Sequence, residues 1–242
     1  MNLLFIDTET TGLNETDRLI QVGHKLRLPG YDSDISCELF KPAVPISFEA
    51  MAVHHITYAM VEDKETFASS PLKIKLQQMA DNTIFIAHNA KFDLRMFQKE
   101  DVYFKLVIDT YRVAMHLIDL PCYKLQYLRY ALDFNVDAVA HDAAGDVAVL
   151  EKLWEYLYMK AVQNLSTSEP EKVIDYLLTL SSSPVLLKTF SFGKYKDKTF
   201  LEVAGFDRSY LSWLWNSEVS KIESDRNEDL VYTLSQYLNH SN

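Results

Sequence analysis

The chain is poor in cysteine, in long apolar runs and in basic charge, and each shortage excludes a class of protein. Cys37 and Cys122 are the only two cysteines; they stand far apart and outside any CxxC pair. That rules against a disulfide framework or a zinc knuckle and leaves buried thiols in a reducing compartment as the expectation. No stretch approaches the roughly 20 apolar residues that span a bilayer. The first residues lack a basic segment followed by an apolar one, so a cytoplasmic protein without membrane attachment is expected. The formal net charge of -10 excludes a protein that grips nucleic acid through a dense basic footprint. It leaves open a local grip through single lysines, backbone N–H groups and acid-bound metal ions. No internal repeat is present.

What is present is enough apolar residue, 48% of 242, for one medium domain and a small second one. Residues 2 to 7 predict a buried strand, followed by a Thr-Thr-Gly turn. Residues 19 to 28 and 35 to 39 alternate apolar and polar, which predicts two further strands in an antiparallel meander. The pattern then becomes helix over 72 to 80, strand over 83 to 87, helix over 90 to 100 and strand over 105 to 108. A mixed sheet covered by helices, an α/β fold, is the expected architecture. Residues 142 to 161 carry the strongest helical pattern, with Leu150, Leu153, Trp154, Leu157 and Ala161 on one face. Two serine-rich breaks follow. Between them Ser168 and Glu171 have capping-box spacing ahead of Val173, Ile174, Leu177 and Leu178. The expected organisation is a main domain over 1–166, a linker helix over 167–184, and a small C-terminal α+β module over 185–242.

Five residues stand out against this frame. Asp7 and Glu9 close the apolar run Leu3-Leu4-Phe5-Ile6, and side chains two apart on an extended segment point the same way, with Cα atoms roughly 6.5 to 7 Å apart. Such a pair can serve neighbouring metal ions, although most acids at strand ends are simply solvated. Asp93 shares its helical face with Met96 and Phe97, and Asp146 shares its face with Val149, Leu150 and Leu153. A carboxylate aimed at apolar packing is costly unless a cation or hydrogen-bond donor receives it. Asn89 has an ordinary explanation as an N-cap for the helix that holds Asp93. His141 lies five residues before Asp146, about 140° away on a continuous helix, and so is expected on a loop at the helix entrance. There an imidazole suits a general base for a metal-bound water, while a lone histidine is more often an ordinary surface or core residue.

The segments Phe5-Ile6-Asp7-Thr8-Glu9-Thr10-Thr11-Gly12-Leu13, His88-Asn89-Ala90-Lys91-Phe92-Asp93 and His141 with Asp146 resemble, in order and spacing, the three motifs of the DEDDh 3′-to-5′ exonucleases. The resemblance covers about residues 3 to 155, with no departure at the five catalytic positions. It implies a ribonuclease H-like fold, two divalent ions (Mg²⁺ or Mn²⁺), and release of nucleoside 5′-monophosphates from 3′ ends. In that scheme Asp7 bridges the ions, Glu9 and Asp146 complete one metal site, Asp93 supports the other, and His141 deprotonates the attacking water. Ile46 to Thr57 is similar to the stretch that lines the terminal nucleotide in the family. Thr8, Thr10, Leu13, Val53, His54 and Asn89 are therefore the expected substrate contacts. Leu13 is alternatively a core residue of its loop, and Met51 and Ile56 fit an ordinary packed helix. Lys91 and Arg95 could approach phosphate or be merely solvated.

The segment Phe190 to Phe200 interleaves aromatics with lysines, a composition that binds single strands by stacking and phosphate contact. It equally fits a small hairpin whose aromatics pack on the helix containing Tyr210, Leu211, Leu214 and Trp215, with Asp207 as N-cap. With Phe200-Leu201-Glu202-Val203-Ala204 and Tyr210-Leu211-Ser212-Trp213-Leu214 it resembles the short tail of the exodeoxyribonuclease X branch of the family. That implies a stand-alone exonuclease acting on DNA 3′ ends, single-stranded and duplex, in repair or recombination, with a homodimer left open. Three other functions remain: trimming of RNA 3′ ends, proofreading within a polymerase, and non-catalytic binding. The first uses the same five residues, the second usually brings a clamp-binding peptide that Gln163-Asn164-Leu165 does not make, and the third requires the absence of metal ligands that are all present.

Overall fold

The computed structural model describes residues 1–137 and 141–238. In chain order the elements are β1 (Asn2–Thr10), β2 (Leu19–Leu28), β3 (Tyr31–Asp32), β4 (Ser36–Leu39), α1 (Phe48–His54), α2 (Tyr58–Val61), α3 (Pro71–Met79), β5 (Thr83–Ala87), α4 (Lys91–Gln98) and β6 (Leu106–Asp109). Helices complete the series: α5 (Thr110–Leu117), α6 (Leu125–Ala131), α7 (Ala143–Leu165), α8 (Pro170–Ser182), α9 (Phe200–Phe206), α10 (Arg208–Val219) and α11 (Glu228–Leu238). The chain divides into two compact units, Met1–Ser181 and Ser182–Asn242. Among the described residues no helix is long and apolar enough to cross a membrane.

The first unit is built on a mixed sheet. β2 pairs antiparallel with β1, β3 and β4, as the predicted meander requires, and β1, β5 and β6 run parallel. Strict alternation along β1 sends its side chains to two different cores. Phe5 packs with Ile84, Ile86 and Ile108 against α5, α6, α7 and α8, whereas Leu4 and Ile6 pack with Leu72, Leu76, Met96 and Phe97 from α3 and α4. The strand runs beyond its predicted end at residue 7 to Thr10, so both Asp7 and Glu9 lie within it. The same alternation puts these two acids on the α7 side and Thr8 on the α4 side.

Residues 167–184 are not a linker. The helix starts at Pro170, whose fixed φ and missing N–H suit a first helical position. Val173, Ile174 and Leu177 are buried in the same cluster as Phe5 and Trp154, so most of α8 is part of the first unit. Its apolar face has nowhere cheaper to go than the exposed end of that core.

Gly23 shows how closely α7 approaches the sheet. It pairs with Asp7 across the β1–β2 ladder. A Cβ added to it would overlap the carbonyl oxygen of Ala143 and lie 2.9 Å from the Ala143 Cβ. The obstacle is backbone at the first turn of α7, which cannot rotate away. Gly23→Val is therefore expected to destabilise the protein by about 1 to 3 kcal/mol through overpacking. It should also reduce activity beyond that loss, because the displaced helix carries Asp146; chemical denaturation beside kcat at a temperature where the variant is folded would show it, and wild-type kcat would refute it.

The second unit has its own core of Phe190, Tyr195, Phe200, Val203, Leu211, Leu214, Leu230, Leu234 and Leu238. Here the expected hairpin shrinks to one antiparallel bridge, Thr189 with Thr199, and α9, α10 and α11 supply the rest. Phe190, Tyr195 and Phe200 turn inward and pack on one another, which leaves no alternating face from which strands could extend.

Candidate active site

Three elements bring the acids together. β1 supplies Asp7 and Glu9, the first turn of α4 supplies Asp93, and the first turn of α7 supplies Asp146. Acids in first helical turns are favoured by the free N–H groups and the positive end of the helix dipole, which offsets part of the cost of burying them. Asp93 and Asp146 are buried; Asp7 and Glu9 are partly so. The Thr8 hydroxyl donates to Asp93 Oδ1 at 2.6 Å, joining β1 to α4 from the opposite side of the strand.

The acids act on one another. Burial, followed by the charges of Asp93, Asp146 and Glu9, pushes the Asp7 carboxyl well above the usual carboxylate range. Burial and the charges of Asp146 and Asp93 raise Glu9 to about 8. Asp93 rises to about 7, burial outweighing the hydrogen bond from Thr8. Burial also raises Asp146, against hydrogen bonds from Gln126 and the His141 backbone. Among the described residues none of the four is in an ion pair with lysine or arginine. A repelling group of hard oxygen donors without a resident cation fits divalent metal ions of the magnesium and manganese kind.

His141 sits where a loop residue before α7 was expected, exposed and in the left-handed conformation at φ 60°. Its backbone N–H donates to Asp146 Oδ2 at 3.1 Å, which ties the turn to the helix. Side-chain ligand atoms of Glu9, His141 and Asp146 lie within 4.8 Å of one another.

A cleft of about 480 Å³ opens beside the cluster. It is lined by Thr8, Glu9, Thr10, Leu13, Val53, His54 and Phe92, among others. Leu13 is 75% exposed and Val53 47%, which decides between the two expectations for Leu13: it is an apolar surface, not a core residue of the turn. His54 is more constrained than expected. Its Nδ1 accepts from the Ile56 N–H at 2.9 Å, so Nε2 carries the proton and meets the Thr10 carbonyl at 3.2 Å. Both nitrogens are engaged in fixing α1 to the end of β1, and only the ring surface is left to the cleft. Thr10 is likewise turned to its own loop, its hydroxyl donating to the Gly12 carbonyl at 2.7 Å.

Asn89 does not cap α4. It is exposed and adopts φ 66°, and its N–H donates to Asp109 Oδ1 at 2.9 Å. An asparagine tolerates this left-handed turn better than most residues. The Arg95 guanidinium donates to the Leu13 carbonyl at 3.1 Å. Lys91 is exposed.

Sequence patterns do not reveal the residues that hold the acids. Gln126 of α6 donates its amide to Asp146 Oδ1. Gln21 of β2 accepts from the Ala143 N–H at 3.2 Å and donates to Asp142 Oδ1 at 3.4 Å. Asp142 caps α7 by accepting from the Gly145 N–H. Asp109 caps α5 and is buried near Asp93, and its charge contributes to the raised value there. Of these only the caps had a local signal, an acid just before an apolar helix. The glutamines had none.

A family model described as Exonuclease matches residues 4–153, the span that contains all five residues and the cleft. The chain belongs to the exonuclease family. A second model, Exodeoxyribonuclease X-like C-terminal, matches residues 190–218 in the other unit. Exodeoxyribonuclease 10 of Escherichia coli K12 is 29% identical over 243 residues, covering 99% of this chain and 100% of the relative. DNA polymerase III subunit epsilon of Treponema pallidum is 31% identical over 160 residues, covering 61% of this chain and 72% of its own. Among solved structures, Exonuclease X in complex with 5′ overhanging duplex DNA superposes with a TM-score of 0.57 at 24% identity, over 74% of this chain and 99% of that one. Escherichia coli Exonuclease I in complex with a dA16 oligonucleotide gives 0.56 at 19% identity, over 74% and 43%. At these identities the two structures establish a shared fold: the ribonuclease H-like mixed sheet flanked by helices.

Proposed function

We propose that this exonuclease is a metal-dependent enzyme that removes nucleoside 5′-monophosphates from the 3′ ends of DNA and serves repair or recombination. The observation that carries the proposal is the meeting of Asp7, Glu9, Asp93 and Asp146 beside an open cleft, with His141 at its edge. Asp7, Glu9, Asp93 and Asp146 are the residues that would hold two divalent ions. Such ions would supply activation of a water and stabilisation of charge on the leaving 3′ oxygen.

The remaining roles belong to the chain itself. Leu13, Val53 and Phe92 offer an apolar cleft to the terminal base, next to Thr8 and Glu9. His54 keeps that wall in register through the Thr10 carbonyl. His141 takes the proton of the attacking water at an imidazole nitrogen, and its backbone bond to Asp146 holds it at the mouth of the site. Asp93 is kept from turning away by Thr8, and Asp146 by Gln126.

DNA is favoured over RNA by the match of the second unit to the exodeoxyribonuclease X-like tail and by the full-length similarity to Exodeoxyribonuclease 10. The same observations favour a stand-alone enzyme over a polymerase subunit. The test compares 5′-labelled single-stranded DNA, duplex DNA and RNA of one sequence, with Mg²⁺, with Mn²⁺ and with chelator. Shortening of DNA from the 3′ end, dependent on metal, is expected. Attack from the 5′ end or full activity in chelator would reject the mechanism, and preference for the RNA strand would reject the substrate.

A further inference from the structure

The second unit displays aromatic side chains that its own core does not use. Phe190, Tyr195 and Phe200 of the lysine-rich segment are buried, while Phe192 is 40% exposed. Two more strongly exposed rings come from the helices they support: Phe206 at the end of α9 is 59% exposed and Trp213 on α10 is 61% exposed. Tyr195 and Tyr210 connect them. Phe206 meets Tyr195 at 5.4 Å between ring centroids, Tyr195 meets Tyr210 at 4.9 Å, and Tyr210 meets Trp213 at 5.6 Å with planes 35° apart. The two contacts of Tyr195 are edge-on, with planes 81° and 88° apart, so the rings form one contiguous cluster with Phe206 and Trp213 at its exposed ends.

The cluster is tied together through Asp207. Asp207 accepts from the Tyr195 hydroxyl at 2.5 Å, from Lys194 at 3.1 Å and from the Tyr210 N–H at 3.1 Å. Lys194 also lies 4.6 Å from the centre of the Tyr195 ring. Residue 193 is glycine at φ 72°, and a Cβ there would stand 2.9 Å from the Tyr210 hydroxyl, so the loop can lie closely over that ring.

The charge around it runs against the rest of the chain. From Lys188 to Tyr210 there are five basic residues (Lys188, Lys194, Lys196, Lys198, Arg208) and three acids (Asp197, Glu202, Asp207), a balance of 5 − 3 = +2 in a chain of net charge -10. Among the described residues, neither Lys196 nor Arg208 is in an ion pair. Lys196 is exposed, and so is Arg208. Exposed rings beside unpaired cations match the two faces of a single strand, bases that stack and phosphates that repel acid.

We infer that the C-terminal unit carries a binding surface of its own for single-stranded nucleic acid, in which Phe206 and Trp213 stack on bases and Lys196 and Arg208 contact phosphates. The choice of DNA as its strand rests on the function proposed above, whereas the stacking chemistry does not. The surface would retain a strand through successive cleavage events, a task the strongly acidic remainder of the protein is ill suited to perform by general attraction.

The test uses the full chain in chelator, where strands are bound but not cut, and a fluorescent oligothymidine followed by anisotropy. The double variant Phe206→Ala/Trp213→Ala is expected to bind at least about five-fold more weakly with the same salt dependence. Lys196→Ala/Arg208→Ala is expected to flatten the slope of log affinity against log salt by about 0.7 for each phosphate no longer neutralised. Trp213→Phe with Phe206 intact should restore affinity, which separates stacking from misfolding. Hydrolysis of thymidine 5′-monophosphate p-nitrophenyl ester, too small to reach a second surface, should be unchanged in both double variants. Strand affinity within about two-fold of wild type in both would overturn the inference and leave the rings to a protein partner. Absence of ester and strand hydrolysis with Mg²⁺ and Mn²⁺, with strand binding still sensitive to the variants, would instead overturn the exonuclease proposal alone.

Discussion

Asp7→Asn is expected to remove metal-dependent strand hydrolysis, by a factor of about 10³ or more, and yet to make the metal-free protein more stable. The loss follows from the position of Asp7, at the centre of the cluster and closest in charge to Asp93, Asp146 and Glu9. Metal-ion stabilisation of a transition state is worth several kcal/mol, and each 1.36 kcal/mol is a factor of ten in rate. The gain in stability has the same origin. An acid whose folded pKa is raised binds its proton more tightly in the native state, so native stability is highest at low pH. It is lost as pH rises from the unfolded carboxylate range through the folded values, about 7 for Asp93 and about 8 for Glu9. Removing the central charge relieves its neighbours. Thermal melts in chelator from pH 5 to 8 should show the wild type losing stability with rising pH and the variant losing less. Added Mg²⁺ should stabilise the wild type and have little effect on the variant, by linkage to native-state binding. Retained turnover, or a metal-induced shift equal to that of wild type, would sink the assignment of Asp7.

His141→Ala has the second largest expected effect: kcat lower by about 10² to 10⁴, the range of general acid–base catalysis, with metal-induced stabilisation preserved. The substitution is informative because so little else depends on the imidazole. The bond to Asp146 comes from the backbone N–H and survives it. The left-handed φ of 60° is carried by a residue with a Cβ in either case, so the turn stays within reach of both side chains. Yet the ring lies within 4.8 Å of ligand atoms of Glu9 and Asp146, close enough to bind an ion itself. Titration of the variant with Mn²⁺ separates the two roles. Affinity within a few-fold of wild type fits a base, and a collapse of affinity would make His141 a ligand.

Much of the fold is legible in the sequence because period and burial coincide in it. β1, β2 and α7 each alternate or repeat as their positions demand, and their limits fall within a few residues of those predicted. The candidate site residues also stand out in it, because Asp93 and Asp146 interrupt apolar helical faces where a charge is costly. The departures come from faces without a partner in the sequence. The 167–184 helix reads as a linker because nothing local says that Val173, Ile174 and Leu177 meet Phe5. Asn89 has the composition of a cap and the conformation of a turn.

By itself, then, the sequence determined most of the strands and helices, the order of the acids along them, and the candidates proposed to hold metal and move a proton. These are consequences of periodicity and side-chain chemistry, which act over a few residues. Only the tertiary structure decided how the acids are held and which aromatics face outward. Gln21 and Ala143 are 122 positions apart, and the approach of Gly23 to the same turn of α7 depends on a missing Cβ that no local pattern marks. In the tail Phe190, Tyr195 and Phe200 went into the core while Phe206 and Trp213 were left outside, an outcome set by which rings the small core could enclose.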